Sequence, residues 1–148
     1  MPFIKVYIHF VWSTKNRYPF LNSKEIRAAV WQHIKENAQT KGIFVNFVNG
    51  YSDHCHCLVS MNMDQTIQKT MQLIKGESSF WINKTNLIKE KFEWQHEYFA
   101  VSVSESMIET VRNYIRKQEA HHGKKSFSEE YDEFIEKNGF EKFDDEAG

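Results

Sequence analysis

The order in which strand-like and helix-like patterns follow one another constrains the fold of this chain more than any other feature. Alternating apolar residues from Phe3 to Trp12 predict a strand, and a stripe at helical spacing then predicts a helix. The predicted segments are strand 3–12, helix 23–41, strands 43–48 and 54–60, helix 64–83, strand 98–103 and helix 104–122. This order predicts an α+β fold, a ferredoxin-like or RRM-like βαββαβ antiparallel sheet with helices on one face, plus a further C-terminal helix.

Short local motifs set the expected boundaries of these segments. Asn49-Gly50 predicts a tight hairpin turn between the second and third strands. Asn22 or Ser23 is the expected N-cap of the first helix, and Asp64 that of the second. Because the first two helices would pack on the same face of the sheet, we expect the other face to be open. An open sheet face is a common binding surface for single-stranded nucleic acid.

Charge is unevenly distributed along the 148 residues, although the net charge is only -1. Residues 129–146 contain nine acidic residues and two lysines, a net charge of -7, which leaves residues 1–128 with +6. A basic body is compatible with nucleic-acid binding, although runs of charge are commonly just solvated surface. The chain length allows one domain, which we place at 1–125, with an acidic C-terminal tail at 126–148 that could cover the basic surface or extend into solvent.

The remaining composition indicates the compartment. No apolar run approaches the roughly 18–20 residues that a membrane-spanning helix needs, so no membrane partner is expected. The N-terminal segment alternates and contains charged residues, unlike the apolar core of a signal peptide. With only two cysteines as well, we expect a cytoplasmic protein with reduced thiols.

Residues 52–60 hold the densest group of chemically reactive side chains. Alternation along a strand places His54 and His56 on one face and Cys55 and Cys57 on the other. The thiols suit an apolar core, whereas the two imidazoles are close enough to share a divalent cation. The same alternation argues against a zinc site built from all four side chains. Two histidines that merely occupy a half-exposed strand are the alternative.

The third predicted helix carries a second group. Tyr114 and Gln118 are four residues apart and therefore share a helical face. Three cations lie beside them in the sequence: Arg112, Arg116 and Lys117. A tyrosine hydroxyl in this setting is either a packing residue in contact with water or a nucleophile for phosphorus, and the Gln118 amide oxygen could complete a metal site. His121 and His122 are better suited to be cations at the helix end.

Together these motifs resemble those of a known family. His54-Cys55-His56 resembles the HUH motif, and Tyr114 with Gln118 resembles the nucleophile helix of the single-tyrosine HUH transposases, often called IS-two-hundred-like. Residues 10–17 resemble that family's first strand with its Thr-Lys-x-Arg loop, and 92–99 the segment before its last strand. The similarity covers residues 3–122 in the family's order. The chain departs from the usual pattern in its small middle residue, Cys55, and in its acidic tail.

The resemblance implies a metal-dependent DNA transposase, with residues 1–125 as its catalytic domain. It would cleave and rejoin single-stranded DNA that carries hairpins at the element ends. His54, His56 and Gln118 would hold Mg²⁺ or Mn²⁺. Tyr114 would attack phosphorus, leaving a 5′-phosphotyrosine bond and a free 3′-hydroxyl. Because family members are commonly dimers whose nucleophile helix serves the partner's active site, a homodimer with trans active sites is expected.

The resemblance also implies DNA contacts and leaves alternatives. Lys15, Arg17, Arg112 and Arg116 would contact DNA. Asp53 would orient an imidazole, or is simply a turn residue. A non-catalytic single-stranded nucleic-acid-binding domain of the same fold is the second hypothesis. A metal-trafficking domain is the third, although its thiols would face the core.

Overall fold

The computed structural model of the protein describes residues 2–122 and 125–139. Within these ranges the strands are β1 (Val6–Ser13), β2 (Phe44–Tyr51), β3 (His54–Met61) and β4 (Phe99–Val103). The α-helices described are α1 (Lys24–Thr40), α2 (Ile67–Lys84), α3 (Ile108–Arg116), α4 (Gln118–His122) and α5 (Phe127–Asn138). The sheet order is β2-β3-β1-β4, and each neighbouring pair is antiparallel. The predicted α+β, ferredoxin-like βαββαβ architecture is therefore confirmed.

One face of the sheet forms the main core against α1 and α2. Phe10 and Trp12 of β1 project into it, and so do Cys55 and Cys57 of β3, all of them essentially inaccessible to solvent. The thiols therefore take the core face of β3, as the alternation predicted. Burial of each large apolar side chain contributes roughly 1.5–3 kcal/mol, which makes this face the main source of stability.

The other face of the sheet is covered, so the expectation of an open face is wrong. Leu58 of β3 packs against Ile108 and Ile115 of α3, and helix α5 contributes further covering side chains. The apolar stripe of α3 was visible in the sequence, but the surface on which it docks was not. As a consequence His54 and His56 are fully buried beneath the C-terminal helices.

The predicted hairpin turn at Asn49-Gly50 is also wrong. Both residues lie inside β2, where Gly50 pairs with Cys55, and the chain turns at residues 52–53 instead. Glycine is required at position 50 for a different reason. A Cβ atom there would lie 2.2 Å from the backbone oxygen of His54, so only glycine permits this close approach of the two strands.

Capping details differ from the sequence expectations in two places. Ser23 caps α1 as predicted, but the side chain that caps α2 is that of Thr66 rather than Asp64. The third predicted helix is divided at Lys117, whose ψ angle of 17° separates α3 from α4 and begins a new helix at Gln118.

Among the described residues, no helix combines the length and the apolar character needed to cross a membrane.

Candidate active site

Two buried imidazoles on β3 form the base of the candidate site. His54 and His56 project from the same face of the strand, and their ring centroids lie 5.1 Å apart. His54 Nδ1 lies 2.8 Å from Asp53 Oδ1, and His56 Nδ1 lies 2.9 Å from His9 Nε2. Because each Nδ1 atom already has a partner, both Nε2 atoms are left to face the space beneath the C-terminal helices.

Helices α3 and α4 bring two further predicted residues to the same place. Gln118 is fully buried at the start of α4, with its Oε1 2.9 Å from His54 Nε2. The Tyr114 ring on α3 packs edge-on at 5.5 Å from the His56 ring. A single chain thus brings together His54, His56, Tyr114 and Gln118, which lie up to 64 positions apart in sequence.

Glu130 of α5 completes the cluster and was missed by the sequence analysis. Its Oε1 lies 3.1 Å from His56 Nε2 and 3.5 Å from His54 Nε2, and its Oε2 accepts a hydrogen bond from the Tyr114 hydroxyl. The Glu130 side chain is only 2% exposed. A signal for its burial existed, because Phe127 precedes it by three residues on the same face of an amphipathic helix.

The two histidines of α4 also face this carboxylate, rather than serving only as cations at a helix end. His121 Nε2 lies 3.2 Å from Glu130 Oε2, and His122 Nε2 lies 3.4 Å from Glu130 Oε1. Ligand-type atoms of His54, His122 and Glu130 lie within 4.8 Å of one another. The site is therefore a cluster of imidazoles arranged around one buried carboxylate.

The surroundings of His9 and His56 favour the neutral form of both imidazoles. Burial, together with the neighbouring His56, lowers the pKa of His9 to about 3. Burial likewise lowers the pKa of His56 to about 4, although Glu130 opposes the shift. Both rings are therefore neutral near pH 7, and a neutral imidazole is the form that binds a metal ion.

The carboxyl and phenol groups are shifted in opposite directions. Burial alone would raise the pKa of Glu130, but the imidazoles of His122 and His56 outweigh it and hold that pKa far below its usual range. Burial and the Glu130 carboxylate raise the pKa of Tyr114 well above its usual value. Near neutral pH the phenol consequently keeps its proton and donates it to an ionised carboxylate.

The two cations predicted near the first strand lie on the short turn Lys15–Arg17 that follows β1. Lys15 Nζ is 3.1 Å from a Glu93 carboxylate oxygen in an exposed ion pair. The guanidinium of Arg17 lies 4.8 Å from the centre of the Tyr131 ring on α5. Binding of a DNA phosphate by Lys15 or Arg17 would therefore have to displace these internal contacts.

The two arginines of α3 are also engaged within the chain. Arg112 donates a 2.7 Å hydrogen bond from Nε to Asn46 Oδ1 of β2. Arg116 donates to Asn113 Oδ1 at 2.6 Å and lies 5.3 Å from the centre of the Phe47 ring. These cations line the junction between α3 and the edge of the sheet, apart from the imidazole cluster.

Comparison with known proteins assigns this chain to a family. Residues 3–118 match the model of the family described as "Transposase IS200 like". The chain belongs to this family. The match ends at Gln118, so that His122 and Glu130 of this IS200-like transposase lie beyond the matched segment.

Two solved structures share the fold of this IS200-like transposase. A candidate transposase from Deinococcus radiodurans R1 has a TM-score of 0.64 and 21% identity, covering 79% of this chain and 93% of that chain. A REP-associated tyrosine transposase bound to a REP hairpin has a TM-score of 0.61 and 17% identity, covering 83% of this chain and 72% of that chain. A comparison with curated protein sequences gives no match.

Proposed function

We propose that this IS200-like transposase cleaves and rejoins single-stranded DNA through a phosphotyrosine intermediate. Tyr114 is the proposed nucleophile. The observation that carries the proposal is the meeting of the Tyr114 hydroxyl and the Nε2 atoms of His54 and His56 at one carboxylate within a single chain. A phenol that served only as a packing residue would not need to lie beside two buried imidazoles.

The donor set suits a divalent cation, which we propose to be Mg²⁺ or Mn²⁺. His54 and His56 offer Nε2 atoms, and Gln118 offers an amide oxygen 2.9 Å from His54 Nε2. The Nδ1 contacts to Asp53 and His9 orient both rings toward the same space, as is usual for histidines that bind metals. When bound, such an ion supplies Lewis-acid activation of a phosphate group.

The proposed reaction conserves the energy of the phosphodiester bond. The Tyr114 phenol gives up its proton, its oxygen forms a bond to phosphorus, and the bond from phosphorus to the 3′-oxygen breaks. That oxygen leaves as a 3′-hydroxyl after taking up a proton. Attack by another 3′-hydroxyl on the phosphotyrosine reverses the step and rejoins the strands. The phenol oxygen can attack through a lone pair while its proton passes along the hydrogen bond to the Glu130 carboxylate, which would return it to the leaving 3′-oxygen.

The proposed substrate is single-stranded DNA that forms a hairpin. The solved relative bound to a REP hairpin supports this class of substrate. Lys15, Arg17, Arg112 and Arg116 are the proposed phosphate and base contacts. The homodimer with trans active sites stays a prediction from the family resemblance. Within one chain, however, Tyr114 already lies beside His56.

The experiment that tests the proposal detects the covalent intermediate. Single-stranded hairpin oligonucleotides, labelled at either the 3′ or the 5′ end, are incubated with the protein and Mg²⁺ or Mn²⁺ and then denatured in SDS. We expect the 3′ label to stay on the protein and the 5′ label to leave on a shorter strand, because tyrosine retains the 5′-phosphate. A metal chelator should abolish both products. Hairpin binding without an adduct would instead favour the non-catalytic nucleic-acid-binding domain.

A second prediction concerns the orientation of His54. Asp53→Ala removes the carboxylate that contacts His54 Nδ1 at 2.8 Å. We expect the affinity for Mn²⁺, measured by isothermal titration calorimetry, to fall by about 10–100-fold. Asp64→Ala, which alters an exposed aspartate in another loop, is the matched control and should leave the affinity unchanged. Equal affinities in the two variants would mean that Asp53 is simply a turn residue.

A further inference from the structure

His122 of α4 and Glu130 of α5 contribute to the imidazole cluster from beyond Gln118, where the match to the family ends. The Oε1 atom of Glu130 is the meeting point of three of the four imidazoles that surround this carboxylate. This oxygen lies 3.1 Å from Nε2 of His56, 3.5 Å from Nε2 of His54 and 3.4 Å from Nε2 of His122. Three ring nitrogens around one buried carboxylate oxygen form more contacts than an ion pair requires.

His122 supplies an independent observation. Its side chain is only 2% exposed, and its Nε2 atom is fully buried without a hydrogen-bond partner of acceptable geometry among the described residues. Burial of a ring nitrogen without a partner is unfavourable, because the atom loses its hydrogen bond to water. The nitrogen lies beside the Glu130 carboxylate, where a bound cation would accept its lone pair.

We propose that Glu130 Oε1 and His122 Nε2 are additional ligands of the cation at His54, so that the ion fastens α5 onto the active site. The ligand-type atoms of these three residues lie within 4.8 Å of one another. Two ligands of one ion at about 2.0–2.2 Å can lie up to roughly 4.4 Å apart, so small shifts of the side chains close the site. This inference rests on the proposed function in that both place a cation at His54.

The ligand set also bears on which ion is bound. Carboxylate and amide oxygens alone would suit Mg²⁺, whereas each imidazole favours first-row transition-metal dications. His122 adds a third imidazole to those of His54 and His56. We therefore expect Co²⁺ and Mn²⁺ to bind more tightly than Mg²⁺.

A cation held in this way would couple metal binding to the position of α5. Glu130 belongs to α5, and its other oxygen accepts the hydrogen bond from the Tyr114 hydroxyl. The same helix is held from a second side, where Arg17 lies 4.8 Å from the centre of the Tyr131 ring. Loading with metal should therefore stabilise α5 over the nucleophile without any need for DNA.

Metal binding to the protein alone tests the proposal. Co²⁺ is titrated into metal-free full-length protein and followed by calorimetry and by the visible absorption of the ion. Glu130→Gln keeps the shape of the side chain but loses its charge, and His122→Gln removes the imidazole. Mutation of a residue that hydrogen-bonds to a metal ligand typically lowers metal affinity by about 10–100-fold, and loss of a ligand should lower it at least as much. We therefore expect each change to weaken Co²⁺ binding by about 10–100-fold or more.

Two control variants carry the same substitutions at exposed positions. They are Glu136→Gln, at an exposed position of α5, and His96→Gln, at an exposed position before β4. Both should bind Co²⁺ as the wild-type protein does. If Glu130→Gln and His122→Gln also bind as the wild-type protein does, the proposal is overturned. Glu130→Asp, which restores a carboxylate, should recover part of the affinity, and a failure to exceed Glu130→Gln would count against a ligand role.

Hydrogen exchange of the α5 amides distinguishes local stabilisation of this helix by the metal ion from a change in the stability of the whole protein. Co²⁺ should slow exchange of the α5 amides in the wild-type protein and leave it unaltered in Glu130→Gln. Unaltered α5 exchange in the wild-type protein would overturn the inference. The proposed function fails separately: Co²⁺ binding that depends on Glu130, without any DNA adduct, would refute the phosphotyrosine reaction and leave this metal site standing.

Discussion

Replacement of Tyr114 by phenylalanine is expected to reduce the covalent protein–DNA adduct by at least about 10³-fold, because removal of a nucleophile is among the most damaging changes an active site can undergo. Phenylalanine retains the ring that packs 5.5 Å from the ring of His56, so the cluster should keep its shape. It lacks the oxygen that would bond to phosphorus. The measurement is the fraction of 3′-labelled hairpin oligonucleotide that stays on the denatured protein.

Tyr7→Phe is the matched control for this variant. Tyr7 packs against the same apolar cluster as Tyr114, but it lies on β1. Removal of its hydroxyl should leave the adduct yield unchanged. An adduct that persists in Tyr114→Phe would assign the nucleophile to another residue. Metal affinity of Tyr114→Phe provides a further check, since the proposed cation ligands are untouched by the substitution.

Substitution of Gly50 by alanine is expected to destabilise the fold by about 3 kcal/mol, the upper part of the range for overpacked sites. The added Cβ would lie 2.2 Å from the backbone oxygen of His54 and 3.0 Å from the Cα atom of Cys55. Neither atom can move away by a side-chain rotation, so β2 and β3 would have to separate locally. Because His54 begins β3, we expect metal affinity to fall as well.

The free energy of unfolding from urea titration measures this effect. Gly76→Ala is the control, because Gly76 lies inside α2 and a Cβ atom there would meet nothing within 4 Å. Alanine has a higher helix propensity than glycine, so this control should be more stable than the wild-type protein by roughly 0.5–1 kcal/mol. A Gly50→Ala protein as stable as the wild type would contradict the steric explanation.

The fold was predictable because its determinants are local. Alternation in β1 and β3, and the order of strands and helices, were enough to predict the sheet and to assign the thiols of Cys55 and Cys57 to the core. The error at Gly50 shows the limit of this reasoning. Glycine after asparagine is typical of a hairpin turn, but glycine is equally required where two backbones approach closely, and only the pairing of β2 with β3 distinguishes the two cases.

The candidate site was predictable only in part, because several of its contacts depend on tertiary structure. Nothing in the sequence pattern of β1 marks His9 as part of the site. Its contact with His56 arises only when β1 pairs with β3. Glu130 lies in an acidic run, and such runs are normally solvated. Helical periodicity places Glu130 on the same face as Phe127, but the surface on which that face docks depends on tertiary contacts that the sequence pattern does not specify. The catalytic and metal roles of Tyr114, His54, His56 and Gln118 stay predictions.

The alternation His-Cys-His-Cys at the start of β3 makes the chemistry of the pocket depend on strand phase. Slippage of β3 by one residue would exchange the two nitrogen donors for two sulfur donors and turn the proposed site for harder ions into one for soft ions. Hydrogen-bond ladders on both edges of β3, to β1 and to β2, oppose such slippage. An insertion or deletion of one residue within this strand would therefore change which metal ions the proposed site prefers, even if the sheet still formed.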